Sequence, residues 1–240
     1  MMLGQPTLPH GHADDLALRL LQTHLGTGMS SLLFRRLRED HGVAYDVGVH
    51  HPARAMASPF VLHASTAIDK AMTTLDLLML SWQELVEQTL QTADLNLACA
   101  KFRGHLAHAS QTTGQRAERR AQLRGLGLPD DHDQRCMEAL ETLDGPALRV
   151  AASRHLTTPL LSLCGPESAV EPLAERWNKA LVPSSSFRYL QDTADQSELG
   201  MCHGENEQRL FQEDEVRPPN LIRHFQPGRK DEALAWDLLF

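Results

Sequence analysis

Thirteen histidines among 240 residues raise metal binding first, because neutral imidazole is the commonest protein metal ligand and titrates near physiological pH. Catalytic zinc needs protein ligands at a set spacing, as in His-Glu-x-x-His or the inverted His-x-x-Glu-His. Neither string occurs in the chain. His105 and His108 stand three apart on a helical stretch and could share a metal. No carboxylate lies one turn away to complete their set, so solvated helix histidines are the plainer reading. His10, His12, Asp14 and Asp15 make a ligand-rich cluster, which a loop running into an acidic helix cap explains more simply. His50 and His51 fall on a loop where they could touch a substrate. The four cysteines, Cys99, Cys136, Cys164 and Cys202, form no Cys-x-x-Cys pair. That spacing excludes a zinc ribbon and a dense disulfide framework, and favours buried thiols under reducing conditions.

Other chemistries are weaker still. Arg116, Arg119, Arg120 and Arg124 give one helix a basic face that could meet an acidic peptide or a partner subunit, although a solvated face explains it more simply. No aromatic residues interleave to stack bases, and a net charge of −8 opposes general nucleic-acid binding, which needs a cationic surface. Gly26 and Gly28 are too few for a phosphate-binding loop and read as a hinge between two helices. At 42% hydrophobic and 22% charged residues the chain can fill the core of one large domain. No run approaches eighteen apolar residues, so no membrane span is expected. The opening MMLGQPTLPHGHADD has neither a basic nor an apolar leader segment, which leaves the cytoplasm as the expected compartment.

The elements that must position these residues follow from periodicity. Residues 1–6 look like the end of a strand, which suggests that upstream sequence is missing. Asp14 or Asp15 can cap a helix with Leu16, Leu20, Leu21 and Leu25 on one stripe. A second helix from about Ser30 to Asp40 is amphipathic through Leu32, Leu33, Phe34 and Leu37, and Gly42 ends it. Two strands follow, Tyr45–Val49 and Phe60–Ser65, the second with Phe60, Leu62 and Ala64 on one face. Ile68, Met72, Leu75, Met79, Trp82, Val86 and Leu90 then mark the strongest helix. Leu95, Ala98, Phe102, Leu106 and Ala109 mark another, and shorter helices occupy Gly114 to Leu143. A helix near Pro146–His155, a strand PLLSLCG and a helix ending near Trp177 close the ordered part. Helices and strands are segregated rather than alternating, so the class is α+β. Residues 178–240 are polar and aperiodic. From 184 onward they carry eleven acidic and six basic side chains, −5 of the total charge. They read as a weakly ordered tail with a docking segment at ALAWDLLF.

The run LGTGMSSLLFRRLREDHGVAYDVGVH, residues 25–50, resembles one family. Its order of a Gly-x-Gly-x-Ser-Ser loop, a helix ending in Leu-Arg-Glu and a Gly-x-x-Tyr strand start is similar to the C-terminal, non-zinc half of insulinase- and pitrilysin-type metallopeptidases. That group includes the mitochondrial processing peptidase. The likeness continues through FVLHAST, the helix at 69–91 and AKFRGHLA, and ends at LLSLCGPE. It therefore covers about residues 1–177 as one domain and leaves 178–240 as a tail of unknown role.

The resemblance implies a two-layer α/β sandwich, one of two half-clamps around a chamber in which an extended peptide is cut. It implies no cofactor in this chain. Zinc is expected in a partner half that carries His-x-x-Glu-His, where the metal activates water and the motif Glu is the general base. It further implies that Arg38 and Tyr45, seven residues apart, hydrogen-bond the substrate carbonyl. The chemistry is consistent: an attacked carbonyl gains negative charge, and a permanent guanidinium and a phenol are donors suited to it. The expected partners are thus a zinc-bearing subunit or domain and a peptide substrate. Without the resemblance, Arg38 reads as a surface ion-pair residue and Tyr45 as a half-buried strand residue. Two further classes stay open, a non-catalytic assembly protein like the family's respiratory-complex core subunits, and a peptide-binding module without hydrolysis.

Overall fold

The structure is a computed structural model and describes residues 1–181 and 221–224. Its centre is a sheet in the order β2-β3-β1-β4-β5, built from β1 (Met2–Pro6), β2 (Ala44–His50), β3 (Pro59–Thr66), β4 (Leu160–Cys164) and β5 (Leu221–His224). The first four are joined by antiparallel pairings, and β5 adds a parallel edge beside β4. Register places Leu3 opposite Leu62 on one side and Leu161 on the other. Because side chains alternate along a strand, Leu3, Phe60, Leu62, Ala64, Leu161 and Leu163 share one face, and all are buried.

Helices cover that face. They are α1 (Asp15–Gly26), α2 (Ala71–Glu87), α3 (Thr92–His108), α4 (Thr113–Gly125), α5 (His132–Ala139), α6 (Gly145–His155) and α7 (Glu167–Leu181). A π-helix, Phe34–Asp40, lies between α1 and β2. α1 packs on α3, α6 and β2, and α2 packs on α6 and β3. Leu18, Leu20, Leu21 and Leu25 of α1 are buried, each contributing about 1.5–3 kcal/mol of transfer free energy. Trp82 of α2 meets Phe60 edge-on at 6.1 Å and donates its indole N–H to the Leu156 carbonyl at 3.2 Å. The result is the expected two-layer α+β sandwich. No helix among the described residues is long and apolar enough to cross a membrane.

Four details depart from the sequence reading. Asp14 precedes α1 without capping it; its carboxylate instead takes hydrogen bonds from Arg154 at 2.8 Å and His155 at 2.7 Å, tying the start of α1 to the end of α6. The buried stripe of α2 is Ala71, Thr74, Leu75, Leu78, Ser81, Trp82 and Leu85, while Ile68 is 63% exposed. The ten residues from His50 on are not a free flap: Thr7 N–H donates to the Ser58 carbonyl and His10 N–H to the Arg54 carbonyl. α7 continues to Leu181, and β5 falls within the stretch expected to be a tail. The ALAWDLLF segment and Cys202 lie outside the described residues.

Candidate functional site

Arg38 and Tyr45 are positioned by a short chain of constraints that begins at Gly28. Its φ of +77° lies in the left-handed region that favours glycine, and it turns the chain from α1 towards the π-helix. Leu33 and Leu37 then point into the core and are fully buried. Arg36 is clamped to α2, donating to Ser81 Oγ at 2.8 Å and Glu84 Oε2 at 2.7 Å. With those side chains committed inward and sideways, Arg38 is left facing solvent. The i→i+5 turns that carry it are rare and concentrate at functional sites.

The turn between the two residues is held as firmly. Gly42 leaves the π-helix at φ +57°, and Val43 N–H reaches back to the Leu37 carbonyl at 2.8 Å. Lys70 Nζ donates to the Gly42 carbonyl and Thr66 Oγ1 to the Val43 carbonyl. β2 then starts with a bulge: Ala44 pairs with Thr66 and Asp46 with Ser65, so Tyr45 is the extra residue. A bulge re-aims the side chain it carries. Ala44 stays buried while Tyr45 is 83% exposed, which removes the half-buried strand reading.

These constraints bring the predicted pair together. The Arg38 guanidinium carbon lies 5.6 Å from the Tyr45 ring centroid and 5.0 Å from that of Phe34. Among the described residues Arg38 makes no ion pair, so the surface ion-pair reading also falls. Its N–H donors and the phenolic O–H of Tyr45 thus sit at one exposed point beside β2. That strand is the edge of the sheet.

The other candidates have structural duties. Asp15 accepts from His10 Nδ1 at 2.7 Å and Arg19 Nε at 2.8 Å, and His51 Nε2 lies 3.4 Å from its second oxygen. Burial alone would raise the Asp15 carboxyl, but the His10 and His51 contacts and the Arg19 charge outweigh it and hold it far below the usual carboxylate range. His51 is therefore a core residue that also meets the Pro59 carbonyl at 3.1 Å, and not a residue on a substrate-facing flap. Arg119 grips Asp133 through two hydrogen bonds of 2.8 and 2.6 Å, and Arg124 grips Asp130 likewise. Two of the four arginines thus form ion pairs within the chain, Arg119 partly buried and Arg124 at the solvated surface. Gly26 is no simple hinge either, since a Cβ there would come 2.7 Å from the Val49 backbone nitrogen.

A cleft of about 290 Å³ lies between α1, α3, α4 and α5, with His10, Arg19, His105, His132 and Cys136 in its wall. Cys136 Sγ is 3.5 Å from His132 Nε2. Burial pushes the Cys136 thiol up and the His132 imidazole down, the latter helped by His10, so the pair favours a neutral thiol over the anionic thiolate a nucleophile needs. No group of three His, Cys, Asp or Glu among the described residues is placed to hold a metal.

Comparison with known proteins agrees with this architecture. Residues 1–102 match the model of the Peptidase M16 inactive domain. That segment is similar to this family, the one the loop–helix–strand run resembles. Over 105 residues the chain is 33% identical to an uncharacterized zinc protease of Rickettsia bellii, covering 42% of this chain and 25% of that protein. Over 125 residues it is 32% identical to its namesake in Rickettsia felis, covering 49% and 29%. The chain thus spans about a quarter of the curated relatives it matches. Among solved structures, a peptidase M16 inactive domain from Pseudomonas fluorescens superposes with a TM-score of 0.59 at 21% identity, over 64% of this chain and 36% of that one. A protease from Helicobacter pylori gives 0.59 at 17% identity, over 65% and 38%. At these identities the likeness is one of fold.

Sequence reasoning missed Phe34 as a neighbour of Arg38. The signal was present, an aromatic four residues ahead of an arginine on one helical flank. It also missed the Tyr45 bulge, which depends on pairing with a strand twenty residues away and leaves no local mark.

Proposed function

We propose that residues 1–177 form the non-zinc half of an M16-type zinc metallopeptidase, with residues 178–240 an accessory tail. In this reading the chain binds an extended peptide and presents Arg38 and Tyr45 to its scissile carbonyl. The observation that carries it is the meeting of Arg38 and Tyr45 at 5.6 Å, both exposed, beside the edge strand β2. An edge strand has a row of unpaired backbone N–H and C=O groups that can add an extended peptide as one more strand. A peptide lying there would pass its carbonyls across the two donors. As the carbonyl is attacked its oxygen gains negative charge, and fixed donors at that oxygen lower the barrier. Zinc, held by a partner half, supplies the activated water. No ligand set for it is present among the described residues.

The test is steady-state cleavage of a fluorogenic peptide by the chain reconstituted with its zinc-bearing half. Tyr45→Phe removes one donor and keeps the ring, and should lower kcat by about 10²–10³. Arg38→Lys keeps the charge but loses the planar fork and should also impair turnover. A loss confined to KM would mean that the contact only holds substrate. Activity within about twofold of wild type for both variants would overturn the reading in favour of a non-catalytic assembly protein.

A further inference from the structure

We infer that Phe34 is a positioning residue, holding the Arg38 guanidinium against Tyr45 without consuming any of its hydrogen-bond donors. This rests on the Arg38–Tyr45 reading above. Phe34 lies one turn before Arg38 on the π-helix, and its ring centroid is 5.0 Å from the guanidinium carbon, with the Tyr45 ring 5.6 Å away. Phe34 is half-buried between the fully buried Leu33 and a turn that ends at the fully buried Leu37. Its ring is thus anchored where Arg38, exposed on the same helix, is not.

The chemistry explains why aromatic rings suit this task better than a carboxylate. A guanidinium is planar, with five N–H groups lying in its plane and a face that stacks on aromatic rings. An ion pair would orient the arginine by occupying the N–H edge, which is the edge a substrate carbonyl needs. A ring contact works through the cation–π attraction and leaves the N–H edge open. The Tyr45 hydroxyl projects from the rim of its ring and is likewise left free. Neighbouring residues agree with this division of labour, since Arg36, two positions earlier, is fixed by an ion pair to Glu84 and a hydrogen bond to Ser81, which commit two of its donors. Aromatic contact keeps Arg38 in place and unspent.

The first test uses the full chain alone. The Arg38 Nε–H resonance, assigned by its loss in Arg38→Lys, should carry an upfield ring-current shift at pH 6. Phe34→Leu should abolish most of that shift, and Phe34→Tyr should restore it. The second test uses the chain reconstituted with its zinc-bearing half. Phe34→Leu should lower kcat/KM about tenfold, with Phe34→Tyr within twofold of wild type. In an Arg38→Lys background, adding Phe34→Leu should cost less than twofold more, because there is no longer a planar fork to orient. A resonance unchanged in Phe34→Leu overturns the inference, as does an equal loss of activity from Phe34→Leu in both backgrounds, which is what a purely structural residue gives. Should Phe34→Leu fail to fold, Phe34→Met provides the same comparison. A lost ring-current shift with full activity retained would overturn the positioning role of Phe34 while leaving the ring contact established, and loss of activity in Arg38→Lys alone would then keep the carbonyl-binding role of Arg38 standing.

Discussion

Asp15 is 3% exposed and takes hydrogen bonds from His10 and Arg19, with His51 facing its other oxygen. An ionised carboxylate loses most of its hydration at such a site and persists only because three partners replace water. Its carboxyl is held far below the usual range in the folded state, while in the unfolded chain it titrates near 3.9. A depressed folded value means that the stabilisation is present above about pH 4 and drains away as pH falls below that. Asp15→Asn leaves two histidines and an arginine without their anion, and should cost about 3–5 kcal/mol at pH 7. It should also flatten the loss of stability between about pH 5 and pH 3. Urea unfolding followed by circular dichroism at pH 7, 5 and 3 measures both, and a change under 1 kcal/mol at pH 7 would show that the cluster is not a stabilising one. At this scale the sequence was partly legible. Arg38 and Tyr45 were singled out by the family resemblance alone, and their proximity follows because a helix–turn–strand keeps seven-residue neighbours local. The duty of Asp15 could not be read, because His51 reaches it from thirty-six residues away through a loop whose course no periodicity describes.

Elements were read best where burial and local chemistry agree. Phe60, Leu62 and Ala64 alternate with less buried residues, and β3 came out as expected. On α2 they disagree. Thr74 and Ser81 are fully buried because their hydroxyls bond the Lys70 and Leu77 carbonyls one turn back. Ser81 in turn receives Arg36. Polar residues that satisfy themselves within the helix can face the core, so counting apolar residues sets the wrong phase and assigns Ile68 and Met72 inward. Glycines give a sharper element-scale test. The end of α1 rests on β2 so closely that Gly26→Ala would press a methyl against Val49, at 2.7 Å from its nitrogen and 2.8 Å from Cγ2. Backbone cannot yield as a side chain can, so the variant should lose about 1–3 kcal/mol. In α3, Gly104 has no atom within 4 Å of such a methyl, and Gly104→Ala should gain about 0.5–1 kcal/mol from reduced chain entropy. Thermal melts should therefore move in opposite directions, by roughly 2–4 °C per kcal/mol. Equal shifts of the same sign would mean that α1 does not sit on β2 as described.

At the scale of the whole molecule, the buried core of the described residues ends on α7. Leu173, Ala174 and Trp177 are the last buried hydrophobic residues among those described, and they lie on α7, which stops at Leu181. Beyond that point the described structure is β5, which adds four parallel pairs to β4. The rest of the sequence is rich in acidic residues and lacks the 2.0 or 3.6 periodicity that buries a face. The layered fold was legible because segregated helices and strands leave few architectures open. The pairing of β5 was not, because LIRH is a short segment with no turn signal to link it to β4. Deleting residues 182–240 removes β5 and exposes the edge of β4 but leaves the described core whole. Pairs on a sheet are worth a few tenths of a kcal/mol to about 1 kcal/mol each, and an edge strand of four residues contributes at the low end, about 1–2 kcal/mol. The shortened chain should therefore unfold cooperatively, with Tm lowered by less than about 8 °C, and keep its near-ultraviolet circular dichroism. A cut after Leu156 should abolish both, since it removes β4 from the middle of the sheet along with Trp177. If the 1–181 chain instead melts without a cooperative transition, the segment beyond α7 is part of the core, and the domain extends past the boundary proposed above.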